Sequence, residues 1–332
     1  MTQKEGLAPV GWPSRMDSTA IIFEKPGSLA VRSLQLVDPA EGDIVVESLW
    51  SGISTGTEKM LYQGSMPAFP GMGYPLVPGY ETVGRVASVC NGANAVPDVP
   101  VAGTLVFVPG ARCYRDAAGL FGASASKLLV PAGRVIAVDE ALGRNATLLS
   151  IAATAFHAVS LAAGPPELIV GHGLVGRLAA RICLALGYAP PLVFETNPDR
   201  RNGSQGYEVI DPARSGTSSF SSVLDASGSP EILDIVIPRL APGGEVVLAG
   251  FYGERLSLPF VPAFMREARI RIAAEFKPGD THAVLDLVSD GRLSLDGLIS
   301  HTADHCDADL AYATAFNDPA CVKMLIDWRK PQ

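Results

Sequence analysis

Two patterns of hydrophobic positions divide the chain. Residues 18 to about 150 carry many short apolar stretches, such as STAIIFEKPG and ETVGRVASV, separated by glycine and proline. Short stretches of this kind, bounded by turn residues, predict β-strands. From about Leu148 onward, continuous apolar runs such as ELIVGHG and PLVFE alternate with runs of helical length, such as ATLLSIAATAFHAVSLAA and LVGRLAARICLALG. This alternation predicts a parallel sheet covered by helices on both faces.

The predicted fold class is therefore α/β, with a doubly wound parallel sheet and a second, irregular and mostly β domain. Residues 1–17 contain no continuous apolar run, so we expect a leader that is neither a signal peptide nor an anchor. Residues 151–292 are expected to form the parallel-sheet domain. We expect the last stretch to return to the β domain, which then consists of residues 18–150 and 293–332.

Composition narrows the class of protein. Of the 332 residues, 48% are hydrophobic and 18% are charged, which supports a large core. The net charge of −8 argues against general nucleic-acid binding, which needs a basic face. No apolar segment is long enough to span a bilayer, although contact with a membrane surface stays open. The five cysteines are odd in number and widely spaced, without a CxxC motif, which predicts a reducing, cytoplasmic environment.

A glycine motif of the G-x-G-x-x-G type begins at Gly171, after a predicted strand and at the start of a predicted helix. Glu195 ends the next predicted strand, 19 residues after Gly176. Together these features form the fingerprint of a dinucleotide site, in which the pyrophosphate lies at the helix N-terminus. The alternative is a glycine turn in a similar fold that binds no ligand. The predicted cofactor-binding residues are Gly171, His172, Gly173, Leu174, Val175, Gly176, Glu195 and Arg200.

The acidic residue at the end of the second strand favours NAD over NADP. A carboxylate at Glu195 would accept hydrogen bonds from the adenosine ribose hydroxyls and would repel a 2′-phosphate. Arg200 and Arg201 follow closely, and an arginine in this region can accept that phosphate. Residual use of NADP therefore stays open.

Several segments resemble the medium-chain dehydrogenase/reductase family over nearly the whole chain from residue 18. The resemblance implies a GroES-like β domain beside the dinucleotide-binding domain, and dimerisation through an edge strand. In this family a zinc-binding Cys lies in a segment like S-G-I-C-G-T-D and a zinc-binding His in G-H-E. Here the segments are SGISTGTE and Gly79-Tyr80-Glu81, so that Ser54 or Thr55 takes the Cys position and Tyr80 the His position.

The structural zinc of the family is also expected to be missing, because only Cys113 lies near the segment where four cysteines cluster in relatives. Zinc prefers thiolate and imidazole ligands, and hydroxyls are poor substitutes at neutral pH. We therefore predict no metal site of either kind. His301, His305 and Cys306 are spaced like metal ligands, but nearby Gly297, Ser300 and Asp304 indicate a loop, and the family has no ligands there.

A closer resemblance is carried by SGISTGTEKMLYQG, YPLVPGYETVGRV and IAATAFHAV, which look like the branch of this family that serves bacteriochlorophyll synthesis. It implies NAD-dependent oxidation of the ring-A 3-(1-hydroxyethyl) group of a bacteriochlorophyllide to an acetyl group. The implied substrate is a flat, apolar, magnesium-bearing tetrapyrrole with a propionate. Whether it is a chlorin or a bacteriochlorin stays open.

Without zinc, another group must take the hydroxyl proton while the carbinol carbon loses its hydride. Positive charge at that carbon can spread into the conjugated macrocycle, so we expect protein hydroxyls and one base to suffice. Tyr80 is the first candidate base, but its ordinary pKa near 10 would need a shift or a partner. His157 is a second candidate base, because histidine is the side chain best suited to proton transfer near neutral pH. It could equally be a core histidine, and Glu81 could be structural. The predicted catalytic residues are Ser54, Thr55, Thr57, Tyr80, Glu81 and His157.

The stretch KMLYQGSMPAFPGMGY is rich in methionine and aromatic residues and is expected to be a flexible loop. Methionine adapts to irregular shapes and makes favourable contacts with aromatic systems, which suits a tetrapyrrole face. The alternative is a loop that packs on its own side chains. The predicted substrate-binding residues are Lys59, Met60, Tyr62, Met66, Phe69, Met72 and Tyr74.

Two other functions are compatible with the sequence. A zinc-free quinone or enoyl reductase would pass a hydride from NADPH to a conjugated acceptor, and Glu195 argues against it. A non-catalytic nicotinamide-binding protein would have lost its chemistry together with its zinc. The polar residues kept at 54–58 and 80–81 argue against that reading.

Overall fold

The computed structural model describes residues 15–68, 70–90, 99–216, 219–253 and 255–329. Within these ranges the chain forms strands that assemble into three sheets, together with seven α-helices. Phe69 and most of the expected leader lie outside the described residues. The first strand begins at Asp17, so the expected boundary after residue 17 differs from the strand by one residue.

The first part of the chain is rich in strands, as its short apolar stretches predict. Its elements are β1 (Asp17–Lys25), β2 (Ser28–Gln35), β3 (Asp43–Ile53), α1 (Thr57–Gln63), β4 (Leu76–Val77), β5 (Thr82–Val89), β6 (Leu105–Val108), β7 (Ala118–Gly119), β8 (Lys127–Pro131) and β9 (Ile136–Ala137).

Strands and helices alternate in the central part. The elements are α2 (Leu149–Leu161), β10 (Leu168–Val170), α3 (Leu174–Ala185), β11 (Leu192–Phe194), β12 (Glu208–Ile210), β13 (Phe220–Asp225), α4 (Ile232–Val236), β14 (Leu240–Leu248), α5 (Phe260–Arg266), β15 (Arg269–Ile272) and α6 (Pro278–Ser289). The chain then continues through β16 (His301–Asp304), α7 (Ala308–Asn317) and β17 (Met324–Asp327).

The central strands form a six-stranded sheet in the order β12-β11-β10-β13-β14-β15, and every neighbouring pair is parallel. This is the Rossmann order, in which the topology switches between β10 and β13. The predicted doubly wound sheet is thus confirmed. Its strands read as continuous apolar runs because helices cover both faces.

The remaining strands form two sheets, a four-stranded one in the order β2-β1-β4-β7 and a seven-stranded one that contains β3, β5 and β6. The second also receives β16 and β17, which arrive from beyond the parallel sheet, with β17 antiparallel to β3. Close to Ile53, this pairing brings Lys323, the residue before β17, against the end of β3.

One hydrophobic core cluster joins the two parts of the molecule. It contains Val83 and Phe107 from the strand-rich part, Leu149 from α2, and Ile169 and Leu178 from the parallel-sheet part. Within the described ranges, no helix combines the length and the apolar character needed to cross a membrane.

The expectation of a flexible loop over residues 59–74 is wrong for its first part. Lys59, Met60 and Tyr62 lie on α1, which ends where Gly64 takes a left-handed conformation at φ 70°. The seven residues of this helix are too few to show a clear 3.6-residue period. The glycine and proline residues farther along the stretch are turn residues, and they led to the prediction of a loop for the whole stretch.

Candidate active site

The glycine motif lies at the switch point of the parallel sheet, directly after β10. Gly171 has φ 95°, and a Cβ there would come within 2.9 Å of the Ser227 backbone that follows β13. A Cβ on Gly176 would collide with the carbonyl oxygen of Gly171. A Cβ on Gly173, by contrast, would meet no atom within 4 Å. Packing therefore requires the first and third glycines, whereas the second leaves open space at the helix start.

That open space lies before the first turn of α3, which Leu174 and Val175 form. Gly173 is the N-cap residue of α3, and no side chain caps the helix. Free backbone N–H groups at a helix N-terminus form an anion site. The geometry therefore fits the pyrophosphate of a dinucleotide.

The carboxylate of Glu195 is buried at the end of β11, beside the glycine turn. It accepts hydrogen bonds from the backbone N–H groups of His172, at 2.9 Å, and Asn197, at 2.8 Å. The His172 ring is buried, with its nitrogens bonded to the Arg200 carbonyl and the Tyr207 hydroxyl. Burial lowers the pKa of His172 to about 4, so the ring is neutral at pH 7. The His172 carbonyl also accepts a hydrogen bond from Arg177 at 3.0 Å, so His172 holds the glycine turn in place and its polar groups are all engaged within the protein.

The arginines that follow Glu195 are held by other groups. Arg200 donates from Nε to the carbonyl of Pro319 at 2.9 Å. Arg201 donates to the Glu195 carbonyl at 2.8 Å and pairs with Asp211 at 2.6 Å. Neither side chain is therefore free of competing contacts.

Three hydroxyl groups lie together at the positions that, by the resemblance, correspond to the zinc ligands of medium-chain dehydrogenases. The Tyr80 hydroxyl donates to Ser54 Oγ at 2.7 Å, and the Thr57 hydroxyl donates to the same atom at 3.1 Å. The hydroxyl oxygens of Tyr80 and Thr57 lie 3.2 Å apart. We call Ser54, Thr57 and Tyr80 the hydroxyl trio. Thr55, the other candidate for the Cys position, is exposed.

The pKa of Tyr80 moves in the direction opposite to the one that a base requires. Burial raises it above its ordinary value, and the charge of Glu81 adds to the rise, despite the opposing hydrogen bonds to Ser54 and Thr57. Tyr80 therefore remains a phenol at neutral pH and acts as a hydrogen-bond donor. This direction disfavours Tyr80 as the base, and its place in the site stays a prediction.

Glu81 is fully buried and forms an ion pair with Lys323. The Lys323 ammonium also donates to the Ile53 carbonyl at 2.9 Å. Burial raises the pKa of Glu81, and Lys323 opposes this rise. A Cβ on Gly52 would overlap the Glu81 carboxylate and approach Lys323 Cε to 2.7 Å, so this glycine makes room for the pair.

Two buried residues of the site, Lys323 and the carboxyl group Glu58, are not among the residues predicted from the sequence. Glu58 accepts a hydrogen bond from the Tyr312 hydroxyl at 2.9 Å, and the backbone of Ser54 also favours its ionised form. Burial, with the nearby charge of Glu81, raises the pKa of Glu58 to about 8. The available signals were a lone lysine in the apolar run CVKMLI and an acidic residue inside SGISTGTE.

His157 is bonded away from the hydroxyl trio. Its Nδ1 lies 3.1 Å from the carboxylate of Asp280, which also accepts the backbone N–H of Lys277 at the start of α6. Ser150, in the first turn of α2, donates to the Tyr80 carbonyl at 3.0 Å. His157 is two turns farther along, or about 10 Å at the helical rise. This arrangement fits the structural reading of His157.

Most of the predicted substrate-binding side chains contact the protein itself. The Tyr62 ring packs against Phe23 at 5.5 Å, and the Tyr74 hydroxyl donates to the Leu61 carbonyl. Met66 and Met72 pack against the same core cluster as these two tyrosines. Lys59 donates to the Phe316 carbonyl at 2.7 Å, and Met60 is half-buried. These contacts favour the reading of a stretch that packs on its own protein.

The donor groups at the family's zinc positions do not fit a zinc ion. Ser54 and Tyr80 offer hydroxyls that bond to each other, the pKa of Tyr80 is raised, and Glu81 is engaged by Lys323. Cys113 is buried, and burial raises the pKa of its thiol to about 11, which opposes thiolate formation. A zinc site needs deprotonated thiolates or imidazoles.

A separate group of potential ligands lies near β16. The ligand atoms of Asp304, His305 and Cys306 lie within 4.8 Å of one another. The His305 ring stacks on Trp328 at 5.3 Å and pairs with Asp304 at 3.1 Å. Stacking and pairing account for the buried histidine without an ion. The expected loop is instead the strand β16 followed by a short 3₁₀ helix.

The chain matches no known family model. It is 52% identical to the 2-desacetyl-2-hydroxyethyl bacteriochlorophyllide A dehydrogenase of Cereibacter sphaeroides over 320 residues, which cover 95% of this chain and 99% of the relative. It is 48% identical to the enzyme of the same name from Rhodobacter capsulatus over 316 residues, with the same coverage.

Solved structures share the fold at lower sequence identity. A 2R,3R-butanediol dehydrogenase from Bacillus subtilis superposes with a TM-score of 0.80 at 18% identity, over 95% of this chain and all of the other. An acetophenone reductase from Geotrichum candidum in complex with NAD superposes with a TM-score of 0.78 at 18% identity, over 96% and 98%. These likenesses establish the medium-chain dehydrogenase fold.

Proposed function

Since this chain belongs to the family of the 2-desacetyl-2-hydroxyethyl bacteriochlorophyllide A dehydrogenases, we propose that it oxidises the ring-A 1-hydroxyethyl group of a bacteriochlorophyllide to an acetyl group, with NAD and without zinc. The observation that carries the proposal is 52% identity over almost the full length of the relative from Cereibacter sphaeroides. The hydroxyl trio at the family's zinc positions supports the metal-free chemistry.

The proposed cofactor is NAD, bound by residues 151–292, with the substrate side supplied by residues 18–150 and 293–332. The free helix start after Gly173 would hold the pyrophosphate, and Glu195 would bind the adenosine ribose. The carboxylate disfavours a 2′-phosphate, and both neighbouring arginines are engaged elsewhere. When bound, NAD supplies the acceptor for the hydride.

We place the substrate hydroxyl against Thr57 and Tyr80. Both residues donate to Ser54 Oγ, so a proton accepted from the substrate can pass on to Ser54. Positive charge developing at the carbinol carbon spreads into the conjugated ring, which reduces the need for a Lewis acid. The chain's own task is therefore to orient the alcohol and to carry away one proton.

The visible spectrum of the tetrapyrrole tests the proposal directly. Purified protein is mixed with NAD⁺ and 3-(1-hydroxyethyl) bacteriochlorophyllide a, with and without a chelator, and a parallel sample contains NADP⁺. Conversion to the acetyl group extends conjugation, so we expect the long-wavelength band to move to the red in both NAD⁺ samples. No shift, with NAD⁺ binding shown separately, would reject the tetrapyrrole substrate. Loss of the shift on chelation would reject metal independence.

We also propose a homodimer formed through the edge strand β15. β15 pairs with β14 alone among the described strands, which leaves its other edge open. Beside it, Phe260, Phe264, Met265 and Ile272 are each about 70% exposed. An apolar surface continuous with an open strand edge fits a second copy related by a two-fold axis. In sedimentation, Ile272→Lys should give monomers, whereas Val101→Lys, at an exposed residue remote from β15, should remain a dimer. If both variants are monomers, or both are dimers, the proposed interface is wrong.

A cytoplasmic location is part of the same proposal. All five cysteines are free thiols, and four of them are buried. Free buried thiols are typical of proteins kept in a reducing compartment.

A further inference from the structure

Near the hydroxyl trio lie two buried carboxyl groups but one buried ammonium group. Glu58, Glu81 and Lys323 are each no more than 2% exposed. Lys323 forms its ion pair with Glu81, so Glu58 is left with the neutral donors Tyr312 and the Ser54 backbone. The Oε1 atom of Glu58 is buried without a hydrogen-bond partner among the described residues. A buried carboxyl group with an open acceptor site and no cation is expensive to keep ionised.

The other titratable candidates around the trio are less suited to accept a proton. Burial raises the pKa of Tyr80, which keeps it a phenol. Glu81 is held by Lys323, and His157 is held by Asp280 on α6. Glu58 and Glu81 each have a buried Oε1 atom without a hydrogen-bond partner among the described residues, but the Glu81 carboxylate is already paired with the Lys323 ammonium. Glu58 has no such ion pair, so it is the carboxyl group that gains more from accepting a proton.

The hydrogen bonds within the trio converge on Ser54 Oγ. Tyr80 and Thr57 both donate to Ser54 Oγ, so the Ser54 proton is the one left to move onward. The backbone of this same serine favours the ionised form of the Glu58 carboxyl group, and Glu58 directly follows Thr57 in the chain. Contacts for proton transfer commonly tighten only when the substrate is bound.

Given the oxidation proposed above, we infer that Glu58 is the terminal acceptor of the proton that the substrate hydroxyl loses. The C–H bond of the carbinol breaks, and its electron pair leaves with the hydrogen as a hydride to the nicotinamide. The C–O bond becomes C=O, and the hydroxyl proton passes to Thr57 or Tyr80 while that residue gives its own proton to Ser54 Oγ. Ser54 in turn gives its proton to the Glu58 carboxylate, so each hydroxyl ends the step neutral. After the ketone leaves, the proton returns to solvent through the same hydroxyls, since Glu58 has no exposed surface.

The surroundings of Glu58 give this acceptor a pKa close to the working pH. Burial and the charge of Glu81 raise the pKa, whereas Tyr312, Lys323 and the Ser54 N–H oppose them, with the result of about 8. A base is most effective when its pKa lies near the operating pH. Oxidation should accelerate as the pH rises toward this value, because the fraction of Glu58 carboxylate increases.

The test compares pH profiles of kcat for oxidation of 3-(1-hydroxyethyl) bacteriochlorophyllide a by the full-length protein. For the wild type we expect a rise of about tenfold per pH unit below pH 8 and a plateau above it. Glu58→Gln should lose this rise and about 10²-fold of the plateau rate, with unchanged NAD⁺ affinity. Glu245→Gln, at a buried but remote carboxylate, should keep the wild-type profile.

A second variant keeps the test independent of whether Glu58→Gln folds. Tyr312→Phe removes a hydrogen bond that favours the ionised carboxylate, so the midpoint of the profile should move to higher pH. A wild-type rise that persists in Glu58→Gln, or a midpoint that Tyr312→Phe leaves in place, would overturn the role of Glu58. A wild type that binds NAD⁺ but gives no product contradicts the proposed oxidation itself, and with it this inference.

Discussion

The carboxylate of Glu81 and the ammonium of Lys323 form an ion pair that is almost wholly removed from water, with side-chain exposures of 0% and 2%. The two residues are 242 positions apart in the chain, and β17 brings them together by pairing with β3. This pair fixes the end of β3, since Lys323 also holds the Ile53 carbonyl one residue before Ser54.

Removal of one partner of this pair should destabilise the protein strongly. Lys323→Met leaves Glu81 as an unpaired buried charge, which typically costs about 3–5 kcal/mol in the free energy of unfolding. Arg85→Met breaks the exposed pair with Glu140 and should cost less than about 1 kcal/mol. Chemical denaturation at pH 7 measures both. Equal losses would contradict a structural role for the buried pair.

The glycines of the dinucleotide turn should respond differently to alanine. Gly173→Ala places its methyl group in open space, so the melting temperature should hold while the Kd for NAD⁺ rises at least about tenfold. Gly176→Ala drives a methyl group into the Gly171 carbonyl and should lower the melting temperature as well. Calorimetric titration and thermal unfolding separate the two. Unchanged NAD⁺ binding by Gly173→Ala would place the pyrophosphate elsewhere.

Cofactor preference should depend on the charge of Glu195. Glu195→Gln keeps the size of the side chain but loses charge-assisted hydrogen bonds, so the Kd for NAD⁺ should rise about tenfold. The Kd for NADP⁺ should fall, because the repulsion of the 2′-phosphate is gone. Glu208→Gln, on exposed β12 nearby, is the matched control and should change neither value. Fluorescence titration with both cofactors decides the matter.

Tyr80 should contribute as a donor and not as a titrating base. Tyr80→Phe removes one of the two hydrogen bonds to Ser54 Oγ and should lower kcat by about 10²-fold. The midpoint of the pH profile should stay in place, because the pKa of Tyr80 is raised away from the working range. Tyr188→Phe, at a partly buried tyrosine that packs against the core away from the trio, serves as the control. A midpoint that vanishes with the Tyr80 hydroxyl would show that the tyrosine itself titrates.

The raised pKa of Glu58 also predicts how stability changes with pH. The folded protein binds a proton at Glu58 up to pH about 8, whereas the unfolded chain releases it near 4.5. Between these values the folded state holds the extra proton, so stability must fall as the pH rises. The wild type should lose up to about 1.4 kcal/mol per pH unit relative to Glu58→Gln within this window. Parallel pH dependences of the two proteins would mean an ordinary pKa.

The sequence predicts the parallel sheet well because its signals are local. Continuous apolar strands, a glycine turn and an acidic strand end lie within residues 168–195, and each constrains the backbone at its own position. The hydroxyl trio could be expected for a related reason, as its members occupy two recognisable short segments. What these local signals do not contain is the partner of each group across the fold.

The remaining features of the site depend on packing that the neighbouring sequence does not reveal. Glu58 meets Tyr312 across 254 positions, and nothing next to either residue indicates the contact. The sequence leaves His157 open between a base and a core histidine, and it does not show that α6 supplies Asp280, whose carboxylate lies 3.1 Å from His157 Nδ1. The pKa of Tyr80 is raised by burial and by the charge of Glu81, and the burial follows only from the packed structure.

The close fit of Gly52 against Glu81 and Lys323 also restricts how mutations can accumulate at this site. The atoms in the way are the ends of the Glu81 and Lys323 side chains, so a larger residue at position 52 would push the two charged groups out of their pairing position. Changes at position 52 and at the two charged positions are therefore expected to occur together.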